Sequence, residues 1–591
     1  MKVTVAKTAG FCMGVRRAVD LAVDQSTSSS KIFTIGPLIH NAQTVEMLKG
    51  RGVEILDEDQ LPPAGATILI RAHGIPPEMQ AYYEQQGYRI IDGTCPKVKT
   101  VHKVIHKHRT EGFNIVLVGD EGHAEVLGLI GYAGESARLV QTPGDVDKLP
   151  EFEKVCLVSQ TTFDGMTFDE ITERMKEKYR DSTLKVKKTV CSATDGRQKE
   201  TRELASKMDA MIVVGGRHSA NTLRLAKISG RFAPHFQHVA TESEIDWEPL
   251  KDCRTVGITA GASTPNWMIN RVAEHVRFLA RTKKISLPNI IWQFFGVLAN
   301  LNVFVAFAAV AAYYASCYLQ GFPFTATGAS LAFLYLMSMY LWNSLTSIEM
   351  IQHLGISRYL FYEAHSRKLM LLAVMCICLL LVISYINSGT LFCLMLIPTF
   401  AGCLYHFSIV PAPLRRFFRY TNLKDIPTSR ELFVAIAWAV LITFIPHAIQ
   451  QTFVPTPGMV LFFLWVFFLA YLRSLIFDLK DIEGDRIMGR ETLVTIIGEK
   501  RVRKTIYAFL VLLTTVIICF SLVYVFPKYP WPGPHTVAFL FQIPVVFYLW
   551  LFMKWNRAIT SDYATLFNIF ADGQFFLVGL GAWIAHLIYP S

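Results

Sequence analysis

Along residues 1 to about 283, short apolar runs alternate with charged, helix-periodic stretches, and each run ends in a small or polar turn. TILIRAHG, FNIVLVGDEGH, KVCLVSQTTF, AMIVVGGRHS and RTVGITAGAS are of this kind. Such runs read as buried strands, and strands alternating with helical patterns predict parallel sheets with ligand loops at the strand carboxyl ends. From about residue 285 the pattern changes to long apolar stretches. A helix needs about 20 such residues to cross a bilayer. Nine stretches qualify: 291–317, 325–345, 368–386, 390–410, 431–451, 458–477, 505–526, 536–553 and 573–589. The expected fold class is therefore an N-terminal α/β domain, residues 1–283, followed by an all-α membrane domain of about nine helices, residues 284–591.

Three cysteines punctuate the first part in one repeated setting. Cys12, Cys95 and Cys191 each follow a strand-like run and precede a helical pattern: KVTVAKTAGFC before VRRAVDLAV, YRIIDGTC before VKTVHKVIH, and LKVKKTVC before RQKETRELA. A thiol at a helix N-terminus faces the positive end of the dipole, which favours the thiolate. Three thiolates from three units suggest a convergent metal or iron–sulfur centre with one position open.

The other turns add neutral donors. His40 lies in IGPLIHN, His73 in RAHGIPP, His123 and Glu125 in GDEGHAEV, Thr161 in SQTTF, Ser219 and Asn221 in GGRHSAN, and Ser263 in TAGAST. Histidines, hydroxyls and amides at strand ends suit a phosphate or diphosphate. Glu125 is the carboxylate of this set with an evident acid role, and a proton donor beside a reducing centre fits loss of a hydroxyl as water.

The motifs FCMGVRRAV, GPLIHN, RAHG, DGTCPKV, GHAEV, SQTT, CSAT..RQ, SAN..RL and TAGAST, in this order, resemble the 4-hydroxy-3-methylbut-2-enyl diphosphate reductase family over essentially all of residues 1 to 280. The resemblance implies a three-lobed fold around a [4Fe–4S] cluster on Cys12, Cys95 and Cys191, with the fourth iron open to the substrate hydroxyl. It implies a diphosphate pocket of His40, His73, His123, Ser219, Asn221 and Ser263. Thr161 and Glu125 fall near the substrate hydroxyl, with Glu125 supplying protons. It also implies a ferredoxin- or flavodoxin-type electron donor. The products are isopentenyl and dimethylallyl diphosphate, at the last step of the methylerythritol phosphate route. Ala220 departs from the pattern, standing where family members often carry a second serine; its backbone amide remains available.

Composition sharpens the picture. The formal net charge is +11 over 591 residues. The basic residues cluster beside the apolar stretches: Arg281, Lys283 and Lys284; Arg358, Arg367 and Lys368; Arg415, Arg416, Arg419 and Lys424; Lys480, Arg486, Arg490, Lys500 and Arg501; Lys554 and Arg557. The intervening loops carry almost none, Lys528 being the exception. The positive-inside rule then puts the N-terminal domain on the cytoplasmic side of a bacterial-type inner membrane and the C-terminus outside. The positive charge is spent on membrane topology and does not indicate nucleic acid. Of the eleven cysteines, Cys317, Cys376, Cys378, Cys393, Cys403 and Cys519 lie in apolar stretches and read as packing residues, as do Cys156 and Cys253 outside the turn context. With no signal peptide, this usage suggests a reducing compartment.

RSLIFDLKDIEGDRIMGRETL places Asp478, Asp481 and Asp485 at i, i+3 and i+7, on one helix face. Three such carboxylates repel unless a cation bridges them, and Mg²⁺ carrying a diphosphate is one solution. With nine spans and the RRFFRYTNLKD loop, this segment resembles the UbiA family of intramembrane prenyltransferases, over about residues 288 to 590. The family's other aspartate motif belongs after the second span. There WNSLTSIEMIQH keeps Asn343 but has Ser344, Ser347 and Ile351 at the expected aspartates, with Glu349 the acid nearby. Half of the metal–diphosphate clamp is missing. The leading reading is thus a reductase fused to a prenyltransferase-like membrane domain. The competing readings are a bifunctional enzyme that transfers a prenyl group to a lipid or aromatic acceptor, and a membrane-anchored electron carrier, which needs neither a diphosphate pocket nor an acid.

Overall fold

The computed structural model describes residues 1–26, 31–57, 60–282, 287–347, 356–405, 423, 426, 428–488, 492–525, 539–559 and 564–589. The chain forms two compact units, Met1–Ala280 with Ile487–Gly489, and Arg281–Arg486 with Arg490–Ser591.

Among its described residues the first unit holds twelve strands: β1 (Lys2–Val5), β2 (Ile32–Ile35), β3 (Val53–Leu56), β4 (Thr67–Ile70), β5 (Arg89–Asp92), β6 (Asn114–Val118), β7 (Ala137–Val140), β8 (Lys154–Ser159), β9 (Thr183–Val186), β10 (Ala210–Val214), β11 (His235–Val239) and β12 (Thr255–Ala260). They form three four-stranded sheets in the orders β11-β10-β12-β1, β3-β2-β4-β5 and β7-β6-β8-β9. Every pairing is parallel. The inner strands are buried almost throughout, as IFTI, TILI and AMIVV require of strands covered on both faces. The outer strands are half-exposed.

The three lobes repeat one plan. The strand bearing each cysteine is an edge strand: β1, β5 and β9 lead to Cys12, Cys95 and Cys191. In each lobe the cysteine amide donates to a carbonyl in the loop after the neighbouring strand. Cys12 N reaches Ala262 O at 3.1 Å, Cys95 N reaches Ala72 O at 2.9 Å, and Cys191 N reaches Thr161 O at 2.8 Å. The first lobe is closed by the N-terminal strand, since β1 pairs with β12 in the register Lys2↔Thr255.

The second unit is helical. Among the described residues, six of its helices are long and apolar enough to cross a membrane: Val303–Gln320, Arg358–Asn387, Ser429–Ile449, Pro457–Ile482, Glu499–Leu522 and Phe567–Ile588. Gly389–Leu404 and Phe539–Trp555 are shorter apolar segments. Helix Ala326–Thr346 spans 21 residues but carries several hydroxyl side chains. The expected first span, 291–317, is divided: helix Leu287–Asn300 ends before Asn302, whose φ of 59° is left-handed, and Val303–Gln320 begins anew. Asparagine tolerates that conformation better than most residues. Two helices, Ile356–Asn387 and Pro457–Met488, run 32 residues each. At 1.5 Å per residue each is about 48 Å long, more than the roughly 30 Å hydrocarbon layer, so their ends project from it. The bundle core includes Trp438 stacked on Phe575, with ring centroids 4.1 Å apart.

Candidate functional site

One cavity in the first unit, with an empty volume of about 820 Å³, gathers the sequence-selected residues. Cys12, Cys95, Cys191, His40, His73, His123, Glu125, Thr161, Ser219, Ala220, Asn221 and Ser263 all line it. The repeated plan explains the convergence. The first inner strand of each lobe (β10, β2, β6) delivers Ser219 with Asn221, His40, and His123 with Glu125. The second inner strand (β12, β4, β8) delivers Ser263, His73 and Thr161, and the edge strand delivers the cysteine.

Each cysteine immediately precedes a helix: Met13–Ser26, Pro96–Thr110 and Ser192–Ala205. Val15 N donates to Cys12 Sγ at 3.4 Å. A Cβ at Gly14 would stand 2.5 Å from Cys95 Sγ, so the absence of a side chain there is what admits the Cys95 thiol beside the Cys12 turn. Burial pushes the Cys95 thiol up, the charges of Cys12 and Cys191 push the same way, and the Lys97 and Val98 amides only partly oppose them. The dipole effect expected from sequence is thus outweighed at Cys95 by desolvation and like charge. A bound cationic centre would offset the burial and like charge that act on Cys95. Arg197 adds a fixed positive charge beside Cys12 and Cys191. It is buried, and donates to Ala260 O at 2.6 Å and to Gly10 O at 2.9 Å. Soft thiolates from three loops, a glycine cradle and an adjacent cation fit an iron–sulfur cluster with three protein ligands.

The histidines form a triangle. Ring centroids lie 5.1 Å apart for His40 and His73, 6.1 Å for His40 and His123, and 5.3 Å for His73 and His123. Their nitrogens come within 4.8 Å of one another, close enough to hold a metal ion. Burial is the first cause that lowers all three pKa values, His73 far below its usual value and His123 to about 4; Arg71 and neighbouring histidines add to it. The rings are therefore neutral at pH 7. His123 Nδ1 caps helix Ala124–Ala133 by accepting from Glu125 N at 3.1 Å, which leaves Nε2–H as the ring's donor. Ser219 caps helix Ala220–Phe232 in the same way, accepting from Thr222 N. Two helix N-termini thus open on the cavity, a setting for anions. Among the described residues, both amide atoms of Asn221 and Nδ1 of His73 are buried without a partner. Buried polar atoms of this kind are normally satisfied, so they point to a polar ligand.

Glu125 is 1% exposed, and both its oxygens accept from Thr161: Oε1 from the amide at 2.6 Å and Oε2 from Oγ1 at 2.9 Å. Burial raises its pKa to about 7 against those hydrogen bonds. A carboxyl group balanced near neutral pH suits proton donation.

Sequence reasoning assigned no role to Arg197, Asp120 or Arg224. Arg224 Nη2 meets both oxygens of Asp120 at 2.6 Å, and its Nη1 donates to Thr162 O. Its guanidinium also lies 4.9 Å from the Phe163 ring centroid. It ties the loop of Thr161 to the helix of Asn221. The signal was present, because Arg197 and Arg224 sit inside the motifs CSAT..RQ and SAN..RL.

In the second unit, Asp478 and Asp485 are buried and Asp481 is half-buried. Asp478 forms an ion pair with Arg430, and Glu431 approaches the same carboxyl. The cation expected between these carboxylates is thus supplied in part by the chain itself. Ser344 is buried and Ser347 half-buried, whereas Glu349, Ile351 and all of the RRFFRYTNLKD loop but Leu423 lie outside the described residues. With serines on one side and Arg430 neutralising Asp478 on the other, the described residues do not fit a two-motif Mg²⁺ clamp. Deeper in the bundle Arg473 Nε pairs with Asp572 at 2.5 Å and Nη1 donates to Tyr340 Oη at 3.0 Å.

A family model described as LytB protein matches residues 3–277, and one described as UbiA prenyltransferase family matches residues 365–578. The 4-hydroxy-3-methylbut-2-enyl diphosphate reductase of Caldanaerobacter subterraneus subsp. tengcongensis is 38% identical over 283 residues, covering 47% of this chain and 98% of that protein. A solved structure of (E)-4-hydroxy-3-methyl-but-2-enyl diphosphate reductase is 38% identical, covers 47% of this chain and 100% of its own, and superposes with a TM-score of 0.38. A UbiA homolog from Archaeoglobus fulgidus, solved with DMAPP and Mg²⁺, is 16% identical, covers 48% of this chain and 98% of its own, and gives a TM-score of 0.35. On the match of residues 3–277 and near-complete coverage of a 38% identical relative, the chain belongs to the LytB protein family.

Proposed function

We propose that residues 1–283 carry out the reductive dehydroxylation of 4-hydroxy-3-methylbut-2-enyl diphosphate, and that residues 284–591 form the UbiA-like unit that places this activity at a membrane. The observation that carries the reading is the single cavity shared by three cysteines, a neutral histidine triangle and a buried carboxyl group. The balance is one substrate, two electrons and two protons in; one isopentenyl or dimethylallyl diphosphate and one water out.

His40, His73, His123, Ser219, Asn221 and Ser263 hold the diphosphate. Neutral imidazoles and amides donate to it, and protonation of the rings on binding adds charge-assisted bonds. Ala220 contributes its backbone amide at the start of its helix. A [4Fe–4S] cluster on Cys12, Cys95 and Cys191, when bound, supplies the electrons one at a time and an open iron for the hydroxyl. Thr161 fixes the Glu125 carboxyl, and Glu125 donates a proton to the departing hydroxyl oxygen. Burial keeps water from competing for that proton. The electrons come from a one-electron donor of the ferredoxin or flavodoxin type. The reductase unit lies on the cytoplasmic face of the inner membrane in this reading, which the basic clusters flanking the spans support.

The test is product analysis. The full chain, purified and reconstituted with iron and sulfide without oxygen, is given the hydroxylated substrate and a strong one-electron reductant. Isopentenyl and dimethylallyl diphosphate are expected. Cluster reduction without either product contradicts the proposal.

A further inference from the structure

Where the resemblance puts an aspartate at the end of helix Ala326–Thr346, the chain has Ser344, and the structure shows what accompanies the replacement. Arg358, in the first turn of helix Ile356–Asn387, donates from Nη2 to Ser344 Oγ at 3.0 Å and to Asn302 Oδ1 at 3.2 Å. Asn302 sits at the left-handed break described above, and its Nδ2 donates to Tyr362 Oη at 3.0 Å. Tyr362 Oη donates onward to Asn300 O at 2.7 Å, and the Tyr362 ring lies 5.6 Å from the guanidinium.

Three neutral side chains therefore hold one guanidinium in place. Among the described residues no carboxylate pairs with it, and its Nε is buried without a partner. Arg430 and Arg473 are different, because each is matched by an aspartate. A guanidinium held by neutral groups, with a buried Nε–H left unpartnered, retains a donor for an anion, and guanidinium groups recognise phosphate oxygens well. Exchanging aspartate for serine removes a metal ligand. Resting a guanidinium on that serine restores positive charge at the same place. The two changes act together: the site loses a carboxylate and gains a guanidinium.

We propose that the membrane unit takes a phosphate-ester anion at Arg358 without a divalent metal, the guanidinium standing where a paired aspartate motif would hold Mg²⁺.

The experiment uses the full chain in lipid nanodiscs, with labelled farnesyl diphosphate as probe. Excess 4-hydroxy-3-methylbut-2-enyl diphosphate masks the cavity of the first unit. Binding is expected to persist in EDTA. Arg358→Gln is expected to weaken it roughly tenfold or more, the scale of a lost charged hydrogen bond, and Arg358→Lys to weaken it less. Unchanged helical circular dichroism in both variants excludes unfolding as the cause. Displacement by inorganic diphosphate supports a free anion as the ligand, and resistance to it supports a lipid-borne headgroup. Loss of probe binding in EDTA, or undiminished binding by Arg358→Gln, overturns the proposal.

Discussion

Thr161 donates twice to Glu125, from its amide at 2.6 Å and from its hydroxyl at 2.9 Å, one to each carboxylate oxygen. The pair joins two loops that follow different strands of one sheet. It also sets the acidity of Glu125, because both bonds favour the anion while burial favours the acid. Burial wins, leaving the pKa at about 7. Thr161→Val removes the hydroxyl donor and keeps the amide. The pKa of Glu125 then rises further, and the alkaline limb of kcat/KM moves to higher pH. A pH–rate profile checks this; an unmoved limb would show that Glu125 does not titrate in the reaction.

Glu125→Gln should keep iron content while turnover falls by about 10²- to 10⁴-fold, the usual range for a lost general acid. Stability gives a second readout. A carboxyl whose folded pKa exceeds its unfolded value stabilises the fold fully below the unfolded pKa, and that contribution disappears as pH rises through the folded pKa. Here the window runs from 4.5 to about 7. The parent should therefore lose melting temperature across this window relative to Glu125→Gln. Parallel melting curves would remove the acid from the account.

Binding of the diphosphate should take up protons. In the free cavity His40, His73 and His123 have lowered pKa values, His123 at about 4. A polyanion beside them favours the imidazolium, so the complex holds more protons than the free protein. Affinity then rises as pH falls through the range between the free and bound pKa values. Calorimetry in two buffers of different ionisation enthalpy measures the uptake directly. Net proton release would contradict the histidine assignment.

Gly14→Ala places a methyl group 2.5 Å from Cys95 Sγ. Iron and sulfide content should fall strongly, and unchanged circular dichroism of the apo protein separates cluster loss from unfolding. Cys191→Ser should lose the cluster and the activity together. Full occupancy in Gly14→Ala would mean that the Cys95 turn adapts more freely than its close contacts allow.

Arg224→Met should separate Thr162 and Asp120 from the helix that carries Asn221. The ion pair is partly solvent-exposed at Asp120, so about 1–3 kcal/mol of stability is the expected loss. Turnover should fall more than cluster content, and Arg224→Lys should restore stability only in part, because one ammonium cannot reach both Asp120 and Thr162 O as the two Nη atoms do.

The alternation of strands and helices, the three cysteine turns and the polar loop residues were legible in the sequence because each is local. The pattern AMIVVGGRHSAN contains both its strand and its N-cap. Non-local relations were not legible. Strand β1 closes its sheet by pairing with β12, some 250 residues later, so KVTV gives no sign of which sheet it joins. The Asp120–Arg224 pair spans 104 positions and the Arg430–Asp478 pair 48. The break at Asn302 was hidden because the residues on both sides are apolar, and hydropathy does not register one left-handed residue. At Cys95 the helix dipole was visible from sequence but the burial that outweighs it was not.

The central claim is that one cavity both binds the diphosphate and spends electrons on it. The most direct measurement is an anaerobic titration of the reconstituted full chain with limiting one-electron reductant and saturating 4-hydroxy-3-methylbut-2-enyl diphosphate. One isopentenyl or dimethylallyl diphosphate is expected for every two electrons consumed. Electrons stored on the protein or passed to an added acceptor, with no five-carbon product formed, would contradict it and identify an electron carrier.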